Sequence, residues 1–430
     1  MSDTKILLIN AQMVLAMGVD NTYGHPPLGI LYLAAYAEAF GYATDVLDLS
    51  IEKDWRETLL NRLKEKKYEV IGISGTTPTH DNIKKISLIC RHYNPKCKII
   101  VGGPHASFVE KKILDTMPVD IVIRGEGEKV FLSILESVFE NTKKINQIPG
   151  LVAKDEHGNF IDTGQGEFIE NIDEIPFPLW DKISMKNYTH INFPVITSRG
   201  CPGKCIFCVA NAMSNGIYRR RSNENIIQEL LELHQKYDIN SFLFADNTFT
   251  AQKKKVMDLC EQLIALPYHF TWWCESRIDV ITPSLIQKMK RAGCCGLQIG
   301  IESANQGILN NIRKKIHIEE IYVKIQQIIE NGIKNIYCTF VMGLPGESEN
   351  SLKESLEMIK RLHDMGVVIE TTLATPFPGT YLATHAKELG INILHSNYKL
   401  YLFNELTSYP KDMDPKMLRN YFIESKKYCG

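Results

Sequence analysis

The sequence predicts an α/β protein of two domains, a doubly wound, Rossmann-like parallel sheet followed by a βα barrel. Three observations predict it. The chain has 430 residues, more than one ordinary domain holds. Short continuous apolar segments alternate with amphipathic ones in both halves, as parallel strands covered by helices require. A turn-rich stretch at 141–188, with Pro-Gly, His-Gly-Asn and Pro-Phe-Pro runs, separates the two alternations.

In the first half, strands are expected at 5–10, 43–49, 70–74, 98–101 and 121–123, with helices at 28–40, 55–66, 82–92 and 129–140. Gly41 is the stop signal of the first helix. A sheet of this kind binds its ligand outside the carboxyl ends of its strands. The domain is expected to span 1–145, with a linker carrying one hairpin at 146–190. Beyond it, strands are expected at 195–197, 241–245, 272–275, 296–301, 335–341 and 368–373. Helices lie between them, such as 224–237 after the cap signals Ser222 and Asn223, and 283–292 after Thr282. Six βα units suit a full or partial barrel over 191–383, whose chemistry sits at the carboxyl ends of the strands. A short, mainly helical tail is expected over 384–430.

Lys and Arg number 49 against 50 Asp and Glu, a net charge of −1. That is not the basic field of a nucleic-acid-binding protein. No secretory signal is expected in the first residues, and no run approaches the length of a membrane span. Eleven cysteines, an odd number, argue against a disulfide framework and fit a reducing cytoplasm.

Three of those cysteines form Cys201-Pro-Gly-Lys-Cys205-Ile-Phe-Cys208, just past the strand expected to end at Thr197. With so few cysteines in so long a chain, this spacing is improbable by accident. A structural zinc site would need a fourth ligand, normally in a second paired element. Neither Cys274 nor the Cys294-Cys295 pair has that spacing. Three thiolates on one loop suit three irons of a cubane and leave the fourth iron open for a ligand.

With this loop, and with Phe207 before its last cysteine, the sequence resembles the radical S-adenosylmethionine superfamily. The resemblance implies a [4Fe–4S] cluster held by Cys201, Cys205 and Cys208, and S-adenosylmethionine at the open iron. Later segments extend it: Phe242-Leu-Phe-Ala-Asp246, Glu275-Ser276-Arg277, Gly300-Ile-Glu302-Ser303 and Gly343-Leu-Pro-Gly346-Glu347. By resemblance, Phe207, Asp246, Ser276, Arg277, Glu302 and Gly346 contact S-adenosylmethionine. A guanidinium fork suits its carboxylate, and a carboxylate suits its ribose. Alone, each has a plainer reading, as a helix cap or a surface pair.

No GxGxxG follows the first strand, so a dinucleotide fingerprint is absent. Turn-rich loops stand there instead: His25-Pro-Pro27-Leu28-Gly29, Ser74-Gly-Thr76-Thr77, Gly102-Gly103-Pro-His105 and Arg124-Gly125-Glu126. Sharing one edge of the sheet, they suit a large flat ligand. The group resembles the cobalamin-binding domain fused to class B radical enzymes, which implies cobalamin contacts from Pro27, Leu28, Gly29, Ser74, Thr76, Thr77, Gly102, Gly103, His105, Arg124, Gly125 and Glu126. The Asp-x-His-x-x-Gly pattern of histidine-ligated cobalamin proteins is missing, so no histidine is expected to bind cobalt from below. The related methylthiotransferases carry three further cysteines in this domain, where this chain offers only Cys90 and Cys97.

The remaining signals are weaker. Tyr218-Arg-Arg-Arg221-Ser reads as a carboxylate-pairing segment rather than a nucleic-acid patch. One ring of Trp272-Trp273 should face the core and the other the site. Thr375-Pro-Phe377-Pro-Gly379-Thr-Tyr381 resembles a late element of the fused family, either cavity wall or core. The resemblance implies a methyltransferase acting on an unactivated carbon of a small molecule or peptide through methylcobalamin, with flavodoxin or ferredoxin as electron donor. The alternatives are a non-methylating radical cyclisation or rearrangement in the same architecture, and a cobalamin sensor or carrier, which would need no open iron.

Overall fold

A computed structural model describes residues 5–11, 25–188 and 193–430. It divides into two units, 1–189 and 190–430.

The first unit is built on a seven-stranded sheet: β1 (Ile6–Asn10), β2 (Thr44–Asp48), β3 (Val70–Ser74), β4 (Lys98–Gly102), β5 (Ile121–Ile123), β6 (Leu151–Lys154) and β7 (Phe160–Asp162). Their spatial order is β2-β1-β3-β4-β5-β6-β7. The first five run parallel, and the order reverses between β1 and β3. Ile6, Leu7, Leu8, Ile9, Val70 and Ile71 are all buried, as strands covered on both faces must be. The helix Leu28–Ala39 packs on Glu128–Glu140, and Trp55–Glu65 packs on His80–Tyr93.

The expected linker at 146–190 is corrected here. Its hairpin adds β6 and β7 antiparallel to β5 as the end of the sheet. Ile148, Leu151 and Val152 are buried, and the Thr163 hydroxyl both donates to the Leu151 carbonyl and accepts from its amide. Apolar burial makes this segment part of the domain.

The second unit holds β8 (Phe193–Val195), β9 (Ser198–Arg199), β10 (Arg219–Arg220), β11 (Ser241–Phe244), β12 (Thr271–Ser276), β13 (Cys294–Glu302), β14 (Asn335–Met342), β15 (Val368–Leu373), β16 (Ile391–Ile393) and β17 (Ser408–Pro410). Six of them form one parallel sheet in chain order, β8-β11-β12-β13-β14-β15. Among the described residues β8 and β15 do not pair with each other, so the barrel is partial. Alternation is regular. Trp272, Cys274, Leu297, Ile299, Ile336, Cys338, Phe340 and Ile369 are buried on the face that carries the helices. The opposite face carries Trp273, Glu275, Gln298, Tyr337, Thr339 and Glu370, all at least partly accessible.

The tail is mixed rather than mainly helical. β16 and β17 form an antiparallel ribbon, followed by the helix Pro415–Ser425. Ile391 buries in a small cluster with Leu382 and Ala386, which favours a strand at that point. Cys429 then bridges to Ile369 on the outer edge of β15.

Candidate active site

The cysteine loop begins where β8 ends. Its first residues are held by Asp246, at the end of β11, which accepts bonds from the Thr197 amide (3.1 Å), the Thr197 hydroxyl (3.0 Å) and the Ser198 hydroxyl. Burial pushes the Asp246 carboxyl up, and those bonds oppose the shift. Asp246, expected to meet S-adenosylmethionine, staples two strand ends beneath the loop. Gly200 follows with φ +84°, and a Cβ there would stand 2.0 Å from the Ile217 carbonyl oxygen, so only glycine turns the chain here.

Two of the thiols, those of Cys201 and Cys205, lie about Gly203. Its amide faces Cys201 Sγ at 3.4 Å, and a Cβ on it would lie 3.2 Å from Cys201 Sγ, 4.0 Å from Cys205 Sγ and 3.6 Å from Arg277 Nη1. Thr248 Oγ1 is 3.4 Å from Cys201 Sγ. The Cys208 amide donates to the Cys205 carbonyl at 3.3 Å, closing the loop. Burial raises the thiol of Cys205 and pushes that of Cys208 up to about 11, each further raised by neighbouring cysteines. Lys314 and Arg277 pull Cys205 the other way. Three thiols on one loop, with two cations acting on Cys205, favour thiolates once a metal replaces their protons. The donor set fits an iron–sulfur cluster with three protein ligands.

Around this loop the other expected residues are brought to the strand ends. Arg277 follows β12 and spends Nε and Nη2 on Asp279, both at 3.0 Å, leaving Nη1 directed at Gly203. Ser276 is buried, its hydroxyl 2.6 Å from Thr250 Oγ1. Glu302 ends β13 with φ +72° and pairs with Lys314 Nζ at 2.6 Å. Both members of that pair are about one-twelfth exposed (8% each). Sequence reasoning missed Lys314, because the pairing depends on the left-handed turn at Arg313 (φ 59°) after the short helix Gln306–Asn311. Gly346 has φ +82°, and a Cβ on it would meet Asn311 Nδ2 at 2.7 Å. In the same turn the Gly343 and Leu344 amides donate to Glu347, whose carboxyl burial pushes up to about 8. Phe207, partly buried, packs against the cluster of Leu382, Ala386 and Ile391. Arg221 pairs with the buried Glu229, the carboxylate partner the sequence suggested.

In the first unit, the loops after β3 and β4 meet. His105 is buried, with one ring nitrogen 2.8 Å from His80 Nδ1 and the other 3.2 Å from Thr77 Oγ1. Both nitrogens are therefore engaged within the protein. A Cβ on Gly103 (φ +94°) would stand 2.8 Å from Ser74 Oγ, whereas one on Gly102 would meet only Ile123 at 3.8 Å. Gly103 thus lets these two loops touch each other. Arg124 bonds Glu110, Asp162 and the Gly164 carbonyl, bracing the hairpin. The Gly125 amide donates to Ser107 Oγ at 3.0 Å. Thr76 is exposed, and Cβ positions at Gly29 and Gly125 face open space. Pro27 precedes the helix beginning at Leu28, and Glu126 stands just before the helix Glu128–Glu140.

Residues 195–374 match the radical SAM superfamily, and residues 16–135 match the B12 binding domain. The chain thus joins a radical SAM domain to a B12 binding domain, and the cofactors of these two domains are a [4Fe–4S] cluster with S-adenosylmethionine, and cobalamin. It is 29% identical over 406 residues to an uncharacterized methyltransferase of Pyrococcus horikoshii, covering 93% of this chain and 87% of that one. It is 28% identical over 416 residues to the anaerobic magnesium-protoporphyrin IX monomethyl ester cyclase of Rubrivivax gelatinosus, covering 92% and 72%. The structure of TsrM, a radical S-adenosylmethionine methyltransferase from Kitasatospora setae with tryptophan and a SAM analogue bound, matches with a TM-score of 0.79 over 99% of this chain and 89% of that one. At 16% identity that likeness is one of fold.

Proposed function

We propose that the protein transfers a methyl group to an unactivated carbon of a small molecule or peptide by radical chemistry. The observation that carries this reading is a three-cysteine loop, suited to a cluster with an open iron, in one chain with a B12 binding domain. With their cofactors bound, the two domains supply a radical that takes hydrogen from the substrate and a methyl group to replace it. The chain's own residues do the holding. Cys201, Cys205 and Cys208 ligate the cluster. Arg277 Nη1 and the Glu302–Lys314 pair orient S-adenosylmethionine beside it, and Asp246 fixes the loop that carries it. Cobalamin is met by the loops at Pro27–Gly29, Ser74–Thr77, Gly102–His105 and Arg124–Glu126. A flavodoxin or ferredoxin as electron donor and a cytoplasmic setting belong to the same reading. Among the described residues no helix is long and apolar enough to cross a membrane.

The cyclase relative keeps a second reading in view, ring formation without methylation. Product mass and cofactor stoichiometry separate the two. Full-length protein, reconstituted anaerobically with iron, sulfide and cobalamin, is given S-adenosylmethionine, a reductant and candidate substrates. Methylation yields a product heavier by a methylene unit, with both 5′-deoxyadenosine and S-adenosylhomocysteine released. A product of altered mass without S-adenosylhomocysteine overturns methylation in favour of cyclisation.

A further inference from the structure

The cysteine loop has an outer side, and its charge has one sign. Pro202 and Lys204 are exposed there, between cysteines that are only partly so. A second segment, 312–316, runs beside the loop. The Ile206 amide donates to the Ile312 carbonyl at 3.2 Å, and Arg277 Nη2 donates to the Lys315 carbonyl at 3.5 Å. Exposure alternates along this segment. Ile312, Lys314 and Ile316 are buried, whereas Arg313 and Lys315 are exposed. Lys314 therefore turns inward to Glu302, and the two other cations turn outward.

The inward cations are neutralised, Arg277 by Asp279 and Lys314 by Glu302. Lys204, Arg313 and Lys315 are not: among the described residues none of them has a carboxylate within ion-pair distance. The next acids in the chain, Glu319 and Glu320, open the helix Ile318–Glu330, and Glu320 is paired with Lys324. Arg313 is also held in place. Its guanidinium lies 4.4 Å from the centre of the Tyr381 ring, which stacks on His385 at 3.8 Å between centroids. A cation fixed on a ring has already lost much of the side-chain freedom that binding a partner would cost it. On a chain of net charge −1 the overall field is weak, so a charged partner is steered by a local patch of this kind.

We propose that a small acidic electron-carrier protein docks on Lys204, Arg313 and Lys315 and passes its electron to the cluster through this side of the loop. This rests on the methyl-transfer reading, which puts a cluster against the inner side of these residues. The step is a one-electron exchange. The carrier is oxidised by one electron, the cluster is reduced by one, and no bond or proton changes hands. Transfer weakens steeply with distance, so a carrier seated on the loop itself stands where transfer is fastest.

The test uses full-length protein, with and without its reconstituted cluster, and a purified flavodoxin as the acidic probe. Binding is read by fluorescence polarisation of labelled flavodoxin at about 0.02 M and about 0.5 M salt. Wild-type affinity should fall at least about tenfold between the two. Lys204→Glu combined with Lys315→Glu should cost at least about tenfold at low salt, and Arg313→Glu should add to the loss. Lys334→Glu makes the same change of charge just before β14, at the other end of the sheet, and should leave binding near wild type. Lys315→Glu alone, off the loop, decides the matter if the loop variant takes up no iron. Anaerobic mixing then reads transfer. Bleaching of the cluster by reduced flavodoxin should slow in Lys315→Glu, while bleaching by photoreduced deazariboflavin, a free small molecule, should keep its wild-type rate. Binding indifferent to salt or to these substitutions overturns the proposal. So does a short DNA duplex that binds more tightly than flavodoxin through the same residues. A cluster that never forms sinks the methyl-transfer reading, while the binding comparison on cluster-free protein still decides the docking surface.

Discussion

The His80–His105 pair makes the first unit sensitive to acid in a way that can be calculated. Burial, then the charges of His80 and Lys112, hold the His105 imidazole down to about 3 from an ordinary 6.5. His80 is lowered too, by burial and by Lys112 and Lys84, against an opposing pull from Asp81. The His105 ring is therefore neutral in the fold and protonates readily only when the chain opens, and burial biases His80 the same way. Below pH 6.5 the unfolded chain binds more protons, so stability is present above that value and is lost as pH falls toward about 3. For His105 alone, the loss between about pH 8 and pH 5 comes to roughly 2 kcal/mol. Hydrogen exchange of peptides from β3 and β4, corrected for the intrinsic pH dependence of exchange, reads the opening free energy of this region. His105→Gln should flatten at least half of the pH dependence. A wild-type profile that stays level from pH 8 to pH 5, or a variant as acid-sensitive as wild type, refutes the reasoning.

Three further outcomes are expected. Replacing Cys201, Cys205 or Cys208 by Ala should abolish iron and sulfide binding, while Cys294→Ala and Cys295→Ala, away from the loop on β13, should leave the iron content unchanged. Lys314→Met strands the buried Glu302 carboxylate, which costs about 3–5 kcal/mol. Thermal unfolding of the iron-free variant should show the loss, and Glu302→Gln in the same chain should recover much of it. Gly103→Ala must take a positive φ and crowd Ser74 Oγ, so it should lose about 1–2 kcal/mol of stability, and cobalamin uptake with it. Gly102→Ala, with only Ile123 nearby, should change neither by as much; equal effects of the two substitutions would count against the loop contact described here.

What could be read from the sequence was what short-range pattern encodes. The cysteine loop is eight residues of fixed spacing, and the parallel strands are continuous apolar runs, so both were legible. The hairpin at 151–162 was not placed in the sheet, because β6 and β7 hold four and three residues and their pairing is settled by burial against β5. Partnerships across distance were equally hidden. Nothing local links His80 to His105, Glu302 to Lys314, or Asp246 to Thr197 and Ser198; each pair is made by strand ends meeting in space. The same cause gives Asp246, Arg124 and Phe207 protein partners that no local pattern announced.

The bridge from Cys429 to Ile369 works as a seal on a sheet edge. Without it, the outer edge of β15 would present more bare amides and carbonyls, the kind of edge that recruits strands from other molecules. Ser425 hydroxyl bonding to Thr371, and Lys426 Nζ donating to the Thr371 carbonyl at 2.6 Å, fasten the seal. Loosening this segment would therefore expose an aggregation-prone edge before it disturbed the strands inside the sheet. Gly430 lies against the same edge, where a Cβ on it would stand 2.7 Å from Val368 Cγ1.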